Sequence, residues 1–179
     1  MGRRGPLLLV AVAAAAALAI VAVVDDGGGA PAEPGAATVV RTVDGDTIVV
    51  RIGGRDERVR LIGIDTPESV DPRRPVECFG REAAARTAEL LPAGTPVRLV
   101  GDVEPRDRYD RLLAYVYRAS DGLFVNLALA EEGYASLATF PPNVAHVDDF
   151  VAASRAAREA GRGLWRACDE FAAPPSSEP

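Results

Sequence analysis

Lysine is absent from this chain of 179 residues: all 20 basic side chains are arginine. That absence excludes Schiff-base chemistry and a lysine-bearing phosphate loop. Histidine occurs once, as His146, which removes histidine-rich metal sites and leaves a single imidazole for acid–base work. An excess of positive charge is missing too. The formal net charge is −6 at pH 7, which argues against a protein that coats nucleic acid through a bulk positive field. Any polyanion site must be built locally from clustered arginines. Wholesale disorder is also excluded, because 48% of the residues are hydrophobic and 26% charged.

What is present begins with a targeting pattern. Arg3 and Arg4 precede an apolar run from Pro6 to Val24, closed by Asp25 and Asp26. Residues 1–26 read as a signal peptide or an N-terminal transmembrane anchor. The charge asymmetry places the rest of the chain outside the cytoplasm, secreted or membrane-anchored. Residues 27–37, rich in Gly, Ala and Pro, read as a flexible linker and residues 172–179 as a disordered tail. A single domain over 38–171 remains. Cys78 and Cys168 both fall in it, and in an oxidising compartment they form either a disulfide or a pair of buried thiols. By loop-closure entropy the disulfide contributes at most ~4–5 kcal/mol.

Strand signals come first. Val39-Val40 leads into a turn at Asp44-Gly45, Thr47–Val50 is a β-branched run, and Gly53-Gly54 turns the chain into a strand over Arg58–Ile64. A helix is predicted over Phe79–Leu91, strands over Val97–Val103 and Leu112–Arg118, and helices over Phe124–Glu132 and Asn143–Ala160. Five strands in a chain this short predict an α+β fold: a small antiparallel Greek-key barrel with helices at one side.

Three segments concentrate unusual polar residues: Asp44-Gly45-Asp46-Thr47, Arg60 through Glu68, and Arg106 through Tyr115. Each has a plain structural reading by itself, as a hairpin turn, a helix cap and a solvated charged loop. Together they say more. Asp46 and Asp65 stand at the ends of successive strands, where a barrel brings carboxylates to one mouth. Oxygen ligands of that kind suit Ca²⁺ or Mg²⁺. Arg60 and Arg111 are placed to reach the same point, and two guanidinium forks beside a divalent cation neutralise and orient a phosphate.

The sequences D-G-D-T, R-L-x-G-I-D-T-P-E and D-R-Y-x-R-x-L-A-Y, in this order, resemble the signature of the staphylococcal nuclease (thermonuclease-like) family. The likeness runs from about Thr38 to Cys168. It implies a five-stranded oligonucleotide-binding (OB-fold) barrel with three helices and a Ca²⁺-dependent phosphodiesterase activity on single-stranded or frayed DNA and RNA, leaving 3′-phosphate ends. Asp46, Asp65 and the Thr66 carbonyl then correspond to the metal ligands, with Asp44 just behind them. Arg60 and Arg111 correspond to the phosphate clamp, Glu68 to the group that orients or deprotonates water, and Arg108 and Tyr109 to positions near a terminal phosphate. Two departures stand out. Asp110 replaces the usual Gly, where its carboxylate is placed to pair with Arg111. The segment Ala135–Asn143 lacks a base-stacking Tyr, leaving Phe140 or Tyr134 to substitute. The other reading of the same barrel is a non-catalytic nucleic-acid- or protein-binding module. A monomer is expected in either case.

Overall fold

The chain divides into two units, Met1–Ala30 and Pro31–Pro179, and the second carries the fold. The computed structural model describes residues 1–2, 36–70 and 75–171. The apolar segment, most of the linker and the C-terminal tail lie outside the described residues. Among the described residues no helix is long and apolar enough to cross a membrane.

Three strands open the barrel as a meander: β1 (Ala36–Asp44), β2 (Thr47–Ile52) and β3 (Arg55–Leu61). They are joined by the Asp44–Thr47 and Ile52–Arg55 turns that the Asp-Gly and Gly-Gly pairs predict. β4 is a short strand, Gly63–Asp65. After α1 (Gly80–Leu90) come β5 (Pro96–Val100) and β6 (Leu112–Arg118), then α2 (Val125–Glu131), β7 (Ser136–Ala138) and α3 (Val147–Glu159). A single turn, α4 (Leu164–Ala167), and a 3-10 turn over Asp169–Phe171 complete the order.

Five strands close into a barrel in the order β1-β2-β3-β6-β5, with β1 and β5 paired at the seam. Four junctions are antiparallel and β3–β6 is parallel. The expectation of an antiparallel barrel is corrected by parity: strands alternating in direction cannot close a ring with an odd number of members. The core is made by residues two apart on each strand. Ile48 and Val50, Val59 and Leu61, and Ala114 and Val116 are all buried, together with Val97. Each large aliphatic contributes about 1.5–3 kcal/mol on full burial.

The helices bury narrow stripes: Ala83, Thr87 and Leu90 of α1, and Phe150, Ala153 and Ala157 of α3. α2 adds a polar bolt. Asn126, fully buried, accepts from the Val116 N–H at 2.9 Å and donates to the Ile62 carbonyl at 2.9 Å and the Ala114 carbonyl at 3.1 Å. It therefore satisfies the backbone where the chain leaves β3, and splits the strand predicted over Arg58–Ile64 into two at Ile62. β4 pairs with β7 in a separate two-stranded ribbon that carries Asp65 to the rim of the barrel. α3 starts at Val147 rather than Asn143, because Asn143 exchanges two hydrogen bonds with the Glu104 backbone and the Ala145 N–H is taken by Asp102.

Candidate active site

The β1–β2 turn and the end of β4 meet at the barrel mouth. Gly45 makes the meeting close: a Cβ there would lie 2.6 Å from the Thr66 hydroxyl. Asp46, nearly buried, accepts from the Thr66 N–H at 3.0 Å, the Thr66 hydroxyl at 3.2 Å and the Thr47 hydroxyl at 2.9 Å. Asp65 projects from the last position of β4 with its carboxylate largely in solvent. Arg60, near the end of β3, lies between the two aspartates. It pairs with Asp46 through Nη1 and with Asp65 through Nη2, the latter at 2.6 Å. The sequence reading gives Arg60 to phosphate; this structure shows it as the counter-charge of both carboxylates.

Acid outnumbers base on this wall. Asp44 is buried, accepting from the Ser69 hydroxyl at 2.6 Å and the Gly45 N–H at 2.9 Å. Burial pushes its carboxyl up to about 6, with the Asp46 charge and the Glu68 side chain adding to the rise. Asp65 is also raised. Partial desolvation and the charges of Asp46 and Glu77 outweigh the pull of Arg60. Glu68 lies on the same wall, where it accepts from the Val70 N–H at 2.8 Å.

Arg111 enters from the start of β6. Its Nε donates to Asp107 at 2.7 Å, its own N–H to the same carboxylate at 3.0 Å, and Nη1 reaches the Thr47 hydroxyl at 3.5 Å. Burial pushes the Asp107 carboxyl up, but the bonds from Arg111 and the Tyr109 N–H overcome it and hold the group below its ordinary value. The expected Asp110–Arg111 pairing is not formed. Asp110 adopts a left-handed backbone, φ 62°, and turns its carboxylate toward Arg106 at 3.5 Å. Asp107 is the partner that sequence reasoning missed. The signal for it is its place at the head of the D-R-Y-x-R motif, where an Asp side chain accepts from the backbone two residues on.

Two adjoining cavities result. The first, about 320 Å³, is lined by Asp44, Asp46, Asp65, Thr66 and Glu68 with Arg58, Arg60 and Arg111. The second, about 430 Å³, shares Arg60, Asp65 and Arg111 with it and continues over Ile62, Leu113 and Phe140. Arg108 and Tyr109 line the second cavity. The Arg108 Nη2 donates to the Tyr109 hydroxyl at 2.6 Å, and the Arg108 and Arg111 guanidiniums lie 4.7 and 5.5 Å from the Tyr109 ring centre. Phe140 is 72% exposed at that rim. Tyr134 lines neither cavity and packs on Phe79, ring centres 5.3 Å apart. Cys78 and Cys168 are joined as a disulfide, Cα atoms 5.9 Å apart.

The chemistry of the donors is that of a hard cation: two carboxylates and a backbone carbonyl, and among the described residues that line the cleft there is no sulfur or imidazole. Among the described residues no group of three His, Cys, Asp or Glu side chains is arranged as a metal cage. Two aspartates and a carbonyl fit an ion that keeps part of its water shell, and five carboxylates line the cleft against three arginines.

A family model described as "Staphylococcal nuclease homologue" matches residues 58–167, a span that includes Arg60, Asp65, Glu68 and Arg111. A thermonuclease of Staphylococcus intermedius is 50% identical over 105 residues, 59% of this chain and 61% of that protein. A thermonuclease of Staphylococcus hyicus is 38% identical over 127 residues, 71% of this chain and 73% of that protein. The SPbeta prophage-derived endonuclease YokF of Bacillus subtilis is 38% identical over 129 residues, 72% of this chain and 43% of that protein. The chain therefore spans less than two thirds of the first and third of these relatives. The closed five-stranded barrel, the arginine- and carboxylate-lined cleft at its mouth and the family match agree, and the chain belongs to the staphylococcal nuclease homologue family.

Proposed function

We propose that the cleft hydrolyses phosphodiester bonds of single-stranded or frayed DNA and RNA with Ca²⁺ as cofactor, by in-line attack of water, leaving 3′-phosphate ends. One observation carries the reading. Arg60 of β3, Arg111 just ahead of β6 and a group of carboxylates including Glu68 line a single cleft of about 320 Å³. A binding module has no use for a carboxylate beside the phosphate it must hold, whereas hydrolysis needs one to manage water.

Asp46, Asp65 and the Thr66 carbonyl would hold the ion. When bound, Ca²⁺ supplies Lewis-acid polarisation of a phosphoryl oxygen and a fixed point for it. The remaining work falls to the protein. Glu68 holds a water in line with the departing 5′-oxygen and accepts its proton. Arg111, held at Nε by Asp107, meets the negative charge that builds on the phosphoryl oxygens. Arg60, paired with Asp46 and Asp65 in this structure, would turn its fork to the phosphate. Arg108 and Tyr109 receive a terminal phosphate in the second cavity, and Phe140 offers an exposed ring for a base to stack on.

The disulfide favours an oxidising compartment, in keeping with an exported domain, secreted or held by its N-terminal segment. The domain acts as a monomer in this reading, because one chain supplies every residue named. The deciding experiment is a digest of single- and double-stranded DNA and of RNA with Ca²⁺, Mg²⁺ or chelator. Cleavage with Ca²⁺ that chelator abolishes is expected; binding without cleavage under every condition would instead mark the barrel as a recognition module.

A further inference from the structure

Glu68 sits on no regular element. Beyond the end of β4 at Asp65, the stem that carries Glu68 meets the residues just before α1 through two reciprocal contacts. The Glu68 N–H donates to the Glu77 carboxylate at 2.9 Å, and the Glu77 N–H donates to the Glu68 carbonyl at 2.9 Å. Cys78 follows directly and is bonded to Cys168. Gly80 then opens α1 so close to the stem that a Cβ would lie 2.6 Å from the Glu68 carbonyl. The far anchor is firm. Cys168 is 2% exposed and follows α4, whose Leu164 N–H donates to the Gly133 carbonyl at 2.9 Å at the end of α2. The exposed Cys78, next to the Glu77 that holds Glu68, is thus tied covalently to a buried point of the fold.

We propose that the Cys78–Cys168 disulfide and Glu77 are positioning elements for Glu68, so that the cleft works at full rate only when the disulfide is closed. The proposal rests on the role given to Glu68 above. The barrel itself uses neither cysteine: its strands and core close without them. A reduced chain therefore keeps the barrel while the stem of Glu68 loses its tether. Closure is thiol–disulfide exchange. The two cysteines give up two protons and two electrons to a disulfide oxidant, a new S–S bond forms between them, and the oxidant's S–S bond is cleaved to two thiols. Such a chain is poorly active while reduced and switches on in an oxidising compartment.

Two variants test this: the double variant Cys78→Ser/Cys168→Ser, and Glu77→Ala with the disulfide intact. For each, kcat and KM are measured on a short single-stranded DNA with Ca²⁺, alongside amide hydrogen exchange at Glu68 and at the barrel residues Val59 and Val116. The expected result is a fall in kcat on the order of 10–100-fold with KM within about twofold of the parent. The Glu68 amide exchanges faster and the barrel amides do not. Dithiothreitol brings the parent down to the double variant's rate, oxidised glutathione restores it, and neither reagent affects the double variant. Unchanged kcat in both variants, or barrel amides opening together with Glu68, overturns the proposal. Glu68→Gln separates the two failures. If it is inactive while the double variant cuts like the parent, only the positioning role is lost; if it too cuts like the parent, the role of Glu68 itself is wrong.

Discussion

Replacing Asp107 by asparagine probes the site through the contact that orients Arg111. The Asp107 carboxylate receives the Arg111 Nε at 2.7 Å, the Arg111 N–H at 3.0 Å and the Tyr109 N–H at 2.9 Å. Asparagine keeps an acceptor for the two backbone donors, so the turn survives. It loses the charge and turns an amide donor toward Nε. A charge-assisted bond of this kind contributes roughly 1.5–3 kcal/mol, which converts to about a 10- to 150-fold loss of kcat if Arg111 serves chiefly in the transition state. The sign of the pH effect follows from the same contacts. The Asp107 carboxyl is held below its ordinary value, so its contribution to stability is present above the unfolded carboxylate range and fades as pH falls through the folded value. Asn removes that acid-side loss. Steady-state cleavage of a single-stranded oligonucleotide at pH 7, with thermal unfolding followed at pH 3–7, reads both effects. An Asp107→Asn variant with the parent's kcat, beside an Arg111→Ala variant that is dead, would show that Arg111 needs no orienting partner.

Three further outcomes follow from other parts of the molecule. Asn126→Leu fills the same space but strands the Val116 N–H and the Ile62 carbonyl, while the Ala114 carbonyl keeps the Ile62 N–H; it should cost about 2–6 kcal/mol of stability in denaturant unfolding. In metal-free protein the Asp44 carboxyl titrates at about 6, above its unfolded 3.8. Its stabilising contribution is therefore complete only below pH 3.8 and lost as pH rises through about 6, and Asp44→Asn should flatten that part of the melting curve. Phe140→Ala should raise KM for oligonucleotides by about 5- to 150-fold, from ~1–3 kcal/mol of stacking, while Tyr134→Phe leaves KM unchanged.

Much of this was legible locally. Thr47–Val50 and Leu112–Arg118 read as strands because β-branched and aromatic residues crowd them, and both strands form there. Asp46, Asp65, Arg60 and Arg111 stood out only in combination, since each segment alone reads as a turn, a cap or a charged loop, and Asp44 entered through the family resemblance. The illegible part is what depends on closure. The parallel β3–β6 junction follows from ring parity, and β4 and β7, three residues each, are too short to show a period. Arg60 bridging two aspartates and Asp107 holding Arg111 are choices among several nearby charges, and only three-dimensional placement decides them. The two cysteines admitted two states from sequence; the docking of α4 against the end of α2 holds Cys168 where Cys78 meets it.

The central claim is that the cleft shared by these carboxylates and arginines breaks phosphodiester bonds. Its most direct measurement is the Ca²⁺-dependent cleavage rate of single-stranded DNA by the parent, Arg111→Ala and Glu68→Gln, each first shown to be folded. Both variants are expected to fall by on the order of 10³-fold or more, with unfolding temperatures close to the parent's. Parental rates in both folded variants would contradict it.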